Sequence, residues 1–277
     1  MKYLIRVMVV ATAFVMGSCG LATPAQAKSN AVKIGQDWVA RDLINPVTYY
    51  RAKRAVSVVE RVELKDKTFT RTVRIPKSTV VAGELTYVDN QKKMSLLIDR
   101  HENLSYHIVR SAYHKLPGNL VNVQMLAAKR QDFRRISRPA YMPTWSYGDL
   151  YLGSRVAAVR LITTQKVQVT TDGYLETHTY SPKTGETTPK PLQSAKINRT
   201  RVKGATRYLY FSKKIKGLAL KHVAKHGRMQ YRLALKNRHQ PQHVAGFSDN
   251  DEPGVYYSLY QLGNKTYYTP IAVDTIY

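Results

Sequence analysis

Residues 255–272 read Val255-Tyr256-Tyr257-Ser258-Leu259-Tyr260-Gln261-Leu262, then Gly263-Asn264, then Lys265-Thr266-Tyr267-Tyr268-Thr269-Pro270-Ile271-Ala272. Two runs rich in Tyr and aliphatic residues flank a two-residue Gly-Asn. That spacing predicts an antiparallel hairpin closed by a turn of the II′ kind, with Gly at its first central position. Pro270 has no N–H to donate, so it marks the second run as an edge or a strand end.

The same pattern recurs upstream. Residues 166–171 and 174–180 flank Asp172-Gly173, a strong hairpin signal. Runs at 55–64 (AVSVVERVEL) and 68–75 (TFTRTVRI) flank Lys65-Asp66-Lys67. Further β-like runs lie at 79–88, 94–98, 104–109, 156–163, 196–202, 207–211, 218–223 and 229–235. Val, Ile, Thr and Tyr dominate them, residue types that suit a pleated, half-buried surface. Residues 119–135 (NLVNVQMLAAKRQDFRR) differ: Leu120, Val123, Leu126 and Ala127 recur at helical spacing. The expected fold is mainly β, one or two small antiparallel barrels or curled sheets with one helix near residues 119–135. The expected organisation is a signal peptide at 1–27, an N-terminal β module with the helix at 28–135, a connector at 136–154 and a basic C-terminal β module at 155–277.

The first 27 residues read as an export signal. Lys2 and Arg6 precede the uncharged run 7–16 (VMVVATAFVM), and Ala25-Gln26-Ala27 supplies small residues for cleavage. A run of that length is half of what a bilayer span needs. Met16-Gly17-Ser18-Cys19 offers a lipoprotein-like alternative, with Cys19 as the lipidation site. Cys19 is the sole cysteine. Cleavage after Ala27 leaves none, which excludes a thiol nucleophile, a thiolate metal site and a disulfide framework.

Charge carries the functional reading. The chain is +26, and loss of Lys2 and Arg6 leaves +24. Ordinary domains carry a magnitude of about 2–8, so a polyanionic partner is implied. Export points away from nucleic acid and towards anionic cell-wall polymers such as teichoic acid, with membrane-surface contact as another possibility. Residues 187–248 hold fifteen Lys and Arg, four His and no acid. Alternation along a strand places Arg199, Arg201 and Lys203 in one row. Arg207, Lys213, Lys214, Lys216, Lys221, Lys225, Arg228, Arg232 and Lys236 extend the cluster, and Tyr208, Tyr210 and Tyr231 interleave with it. Lys129, Arg130, Arg134, Arg135 and Arg138 are candidates to enlarge the same surface.

Other chemistry is poorly supported. His222 and His226 have helical zinc-pair spacing, but Val223 stands where a zincin needs Glu. Residues 249–254 start like a calcium loop, yet Pro253 occupies a ligand position and Tyr260 replaces the closing Glu. No metal and no cofactor is expected. Nucleophile-elbow, Ser-x-x-Lys and phosphate-loop patterns are missing from the sequence. The reading therefore leans away from an enzyme. The alternatives are a wall-glycan or peptide-acting enzyme using carboxylates such as Asp149, Asp172 or Glu176, and a cationic membrane-surface protein.

The segment Gly263-Asn264-Lys265-Thr266-Tyr267-Tyr268 resembles the Asn-Gly-Lys-x-Tyr-Tyr hairpins of surface-layer anchors, with the turn order reversed. Together with residues 74–83, it is similar to exported cell-surface proteins of lactobacilli and their relatives, which carry small SH3-like or surface-layer-anchor β modules. The resemblance implies wall binding without enzymatic activity, and retention at the cell wall or surface.

Overall fold

A computed structural model describes residues 31–34, 37–40, 44, 47–64, 67–87, 94–98, 103–113, 120–125, 128–154, 163–183, 186–188, 190–240, 242–244 and 254–273. The expected signal peptide, Cys19 and the calcium-like stretch at 249–253 lie outside these residues. Among the described residues no helix is long and apolar enough to cross a membrane.

The protein is mainly β, as expected, and its sheets curl. Strands β1 (Ala31–Ile34) and β2 (Asp37–Ala40) form a small ribbon. The N-terminal half adds β3 (Thr48–Ala52), β4 (Val56–Leu64), β5 (Thr68–Ile75), β6 (Val80–Tyr87), β7 (Met94–Ile98), helix α1 (Tyr106–Tyr113), β8 (Leu120–Met125), β9 (Ala128–Lys129) and β10 (Phe133–Ile136). One sheet runs β10-β3-β6-β7-β9 and a second runs β5-β4-β8. Tyr50, Val58, Val73, Val81, Leu96 and Phe133 meet between them, with Val109 of α1 packed into the same core.

The C-terminal half comprises β11 (Asp149–Leu152), β12 (Gln165–Val169), β13 (Tyr174–Ser181), β14 (Glu186–Thr187), β15 (Gln193–Lys196), β16 (Arg199–Lys203), β17 (Thr206–Phe211), β18 (Lys221–His222), β19 (Tyr231–Asn237), β20 (Gln242–Val244), β21 (Val255–Leu262) and β22 (Lys265–Val273). Its main path runs β13-β12-β11-β22-β21-β19-β17-β16. The segment from β15 to β16 closes this path. β15 pairs with β13, β16 pairs with β17, and the amides of Ile197 and Asn198 continue the ladder to Gly173 and Tyr210. The result is a closed antiparallel barrel of a size whose interior side chains fill. Leu150, Val167, Leu175, Leu209, Leu233 and Tyr267 do so. Residues 136–154, expected as a connector, supply β11 and the buried Met142 and Leu150.

Both hairpins read from turn chemistry form. Leu262 pairs with Lys265 across a Gly263 with φ of 59°. A Cβ there would sit 2.6 Å from that of Ala219, so the position requires glycine on two counts. At the other hairpin Gly173 has φ of 84°, and Thr170 and Tyr174 exchange backbone and side-chain bonds.

The helix expected near 119–135 is corrected. Leu120–Met125 is β8, paired with Glu60–Leu64 of β4, and Arg130–Asp132 is a single 3-10 turn. Val121, Val123 and Met125 also satisfy period two, and β4 needs a partner on that side. The single α-helix among the described residues is Tyr106–Tyr113, in a stretch that reads as alternating strand. Its start is fixed from the barrel. The Asp172 carboxylate accepts from Ser105 N–H at 2.8 Å and Ser105 Oγ at 2.6 Å. Glu176 accepts from Tyr106 N–H at 3.1 Å. Two carboxylates thus meet the unpaired amides at the positive end of the helix dipole.

Burial raises the Asp172 carboxyl above its ordinary 3.8, opposed by the Ser105 and Thr170 hydrogen bonds and the Lys196 charge. The folded state therefore holds this proton more tightly than the unfolded chain. Stability from this group is fully present below 3.8 and is lost as pH rises through the raised value. Replacing Asp172 by Asn, which does not titrate, is expected to destabilise more at about pH 4 than at pH 7. Urea titrations of both proteins at the two pH values check this, and an equal or reversed difference contradicts it.

Candidate functional site

The barrel's outer face over β16, β17, β19 and β18 is built by period two and by register. Leu209 and Phe211 of β17 point inward, so Thr206, Tyr208 and Tyr210 point outward. Leu233 and Leu235 of β19 point inward, so Arg232, Ala234 and Lys236 point outward. Pairing aligns these residues into rows across the strands. One row is Arg199, Tyr210, Arg232 and Lys221. The next is Arg201, Tyr208 and Ala234, and the third is Lys203, Thr206 and Lys236.

Rows are spaced about 7 Å along the strands and neighbours about 4.8 Å across them. Cations on β16 and β19 therefore flank a floor of two tyrosines. The Arg232 guanidinium lies over the Tyr208 ring, 4.8 Å from its centroid, a cation–π contact that presents the charge flat on the surface. Arg199, Arg201, Lys203, Lys221 and Lys236 are exposed and form no ion pair among the described residues. Lys225 and Arg228 sit at the tip of the β18–β19 hairpin, where Arg228 O accepts from Asn198 Nδ2 at 2.7 Å. Lys213, Lys214 and Lys216 ring one barrel end, where Ile215 and Leu218 between them enter the core.

Two expected members fall elsewhere. Arg207 has the inward parity of Leu209. Its Nε donates to the Ala140 carbonyl at 3.0 Å, and burial, then the Arg138 charge, lowers its pKa. Tyr231 pairs with Phe211 and packs against the barrel core, its ring 5.1 Å from that of His222. Nor do the residues from 129–138 join the grid. Arg130 donates to Phe133 O at 3.0 Å, and Arg138 to Pro143 O at 2.6 Å.

The carboxylates weighed for catalysis are engaged in the framework. Asp149 pairs with Lys166 at 3.1 Å. Asp172 and Glu176 hold the start of α1, and Glu176 also accepts from Ser194 Oγ at 2.8 Å and faces His178 at 3.6 Å. His222 lies on a strand, so its pairing with His226 at helical spacing does not form. Among the described residues no group of three or more His, Cys, Asp or Glu is placed to hold a metal.

Comparison with protein-family models, with curated proteins and with solved structures finds no match for this chain.

The two placements of arginine differ in a measurable way. Arg207→Gln removes a half-buried side chain together with its hydrogen bond to Ala140 and is expected to lower unfolding stability by about 1 kcal/mol. Arg201→Gln, on the exposed row, is expected to change it by less than about 0.5 kcal/mol. Denaturant midpoints of the two variants check the assignment, and equal losses contradict it.

Proposed function

We propose that this is an exported, non-catalytic protein, retained at the cell wall, that binds anionic wall polymers of the teichoic acid kind through the outer face of β16, β17 and β19. The single observation carrying this reading is the register-fixed grid of Arg199, Arg201, Lys203, Arg232 and Lys236 around Tyr208 and Tyr210, free of carboxylates. A polyphosphate chain would lie along the strands, with cations on both sides and tyrosine faces against its sugar or polyol units. Such contacts are individually weak and release counterions, so affinity follows salt. The export-signal pattern at 1–27 and the hairpin likeness at 263–268 support the same reading, with Cys19 lipidation as the alternative mode of retention.

The test is co-sedimentation with purified walls across a salt series, before and after teichoic acid is stripped. Each engaged charge contributes about −0.7 to the slope of log K against log salt on a flexible polyanion. Changing Arg199, Arg201 and Lys203 together to Gln should therefore flatten the slope by about 2. Binding indifferent to salt, or equal on stripped walls, would sink the proposal.

A further inference from the structure

A second cationic place lies away from the grid, where the β3–β10 strand pair meets the segment crossing the barrel end. A cleft of about 490 Å³ opens there, lined by Val47, Thr48, Tyr49, Arg135, Ile136, Ser137 and Arg138. That volume falls within the range of small-molecule sites. We propose that this cleft binds a phosphate-type oxyanion, with Arg138 supplying the charge and the Tyr49 hydroxyl a hydrogen bond.

Three observations carry it. The Arg138 guanidinium lies over the Tyr49 ring, 5.7 Å from its centroid, and only Nη1 has a hydrogen-bond partner, the Pro143 carbonyl. Its remaining nitrogens are donors held in a fixed plane, the geometry that suits a tetrahedral oxyanion. The Tyr49 hydroxyl is buried with no partner, although the residue is only 3% exposed. An orphaned buried donor is costly, and a ligand oxygen would satisfy it. Burial, more than the opposing Arg138 charge, keeps this phenol above its usual range, so it retains its proton.

The third observation is uncompensated charge: no carboxylate lines the cleft beside Arg138, and an anion from outside would supply the missing counter-charge.

Calorimetric titration of the full chain with inorganic phosphate, and separately with glycerol phosphate, tests this. Tyr49→Phe and Arg138→Gln should each weaken phosphate binding by about fivefold or more, the worth of one hydrogen bond. Tyr49→Phe should leave thermal stability unchanged or higher, since it deletes an unsatisfied group; a merely structural Tyr49 would leave phosphate affinity unmoved. Tighter binding of glycerol phosphate than of inorganic phosphate would assign the site to an esterified phosphate, and the reverse to the free anion. The inference does not rest on the wall-polymer reading. The Arg199, Arg201 and Lys203 to Gln protein should keep wild-type phosphate affinity even while it loses wall binding. No phosphate binding to the wild type, wild-type affinity in both cleft variants, or loss of phosphate binding in the grid variant would overturn it.

Discussion

The pairing of β3 with β6 is the constraint on which the rest of the structure depends, because this strand pair is buried on both faces. Tyr50 and Val81 are register partners and enter the N-terminal core. Their neighbours Tyr49, Val80 and Ala82 enter the barrel core on the other side. A strand with two buried faces must be apolar at consecutive positions, and Val80-Val81-Ala82-Gly83 is. Each fully buried valine contributes about 1.5–3 kcal/mol. Gly83 completes the run for a steric reason: a Cβ there would lie 2.3 Å from the Leu97 carbonyl oxygen of β7. The two halves of the chain thus share a wall.

Five acids serve the framework around that wall. Glu60 pairs with Arg71 at 2.7 Å inside the N-terminal sheet, and Asp132 with Arg54 at 2.8 Å beside it. Asp149, Asp172 and Glu176 lock β11, β12 and β13 to their surroundings and to α1. These five carboxylates are taken up by the framework, and 44 Lys and Arg face 18 Asp and Glu overall. The barrel face over β16, β17 and β19 is left cationic by default of partners. Its tyrosines and arginines are then set into rows by the same alternation that fills the barrel with Leu209, Phe211, Leu233 and Leu235.

What was legible in the sequence was local. Gly263-Asn264 and Asp172-Gly173 declare their hairpins because positive φ is a property of the turn itself. Arg199, Arg201 and Lys203 fall in a row because strand parity needs no partner. The helix was not legible. Residues 104–109 alternate like a strand, and the amides of Ser105 and Tyr106 are met by Asp172 and Glu176, some seventy positions away. Residues 120–125 fit helical spacing equally well until β4 supplies a pairing edge. Arg207 and Tyr231 share composition with the grid but not its parity, which only the buried Leu209 and Leu233 fix. The Tyr49 cleft left no signal, since its residues come from two stretches that β3–β10 pairing joins.

The most direct test of the cationic face is a lysine-acetylation footprint of the full chain, with and without purified teichoic acid at low salt. The account predicts protection of Lys203, Lys221 and Lys236 on bound protein, with Lys53 and Lys77 on the N-terminal half unchanged. All five lysines are exposed, so each can report. Protection confined to Lys53 and Lys77, or none at Lys203, Lys221 and Lys236 while polymer is bound, would contradict it.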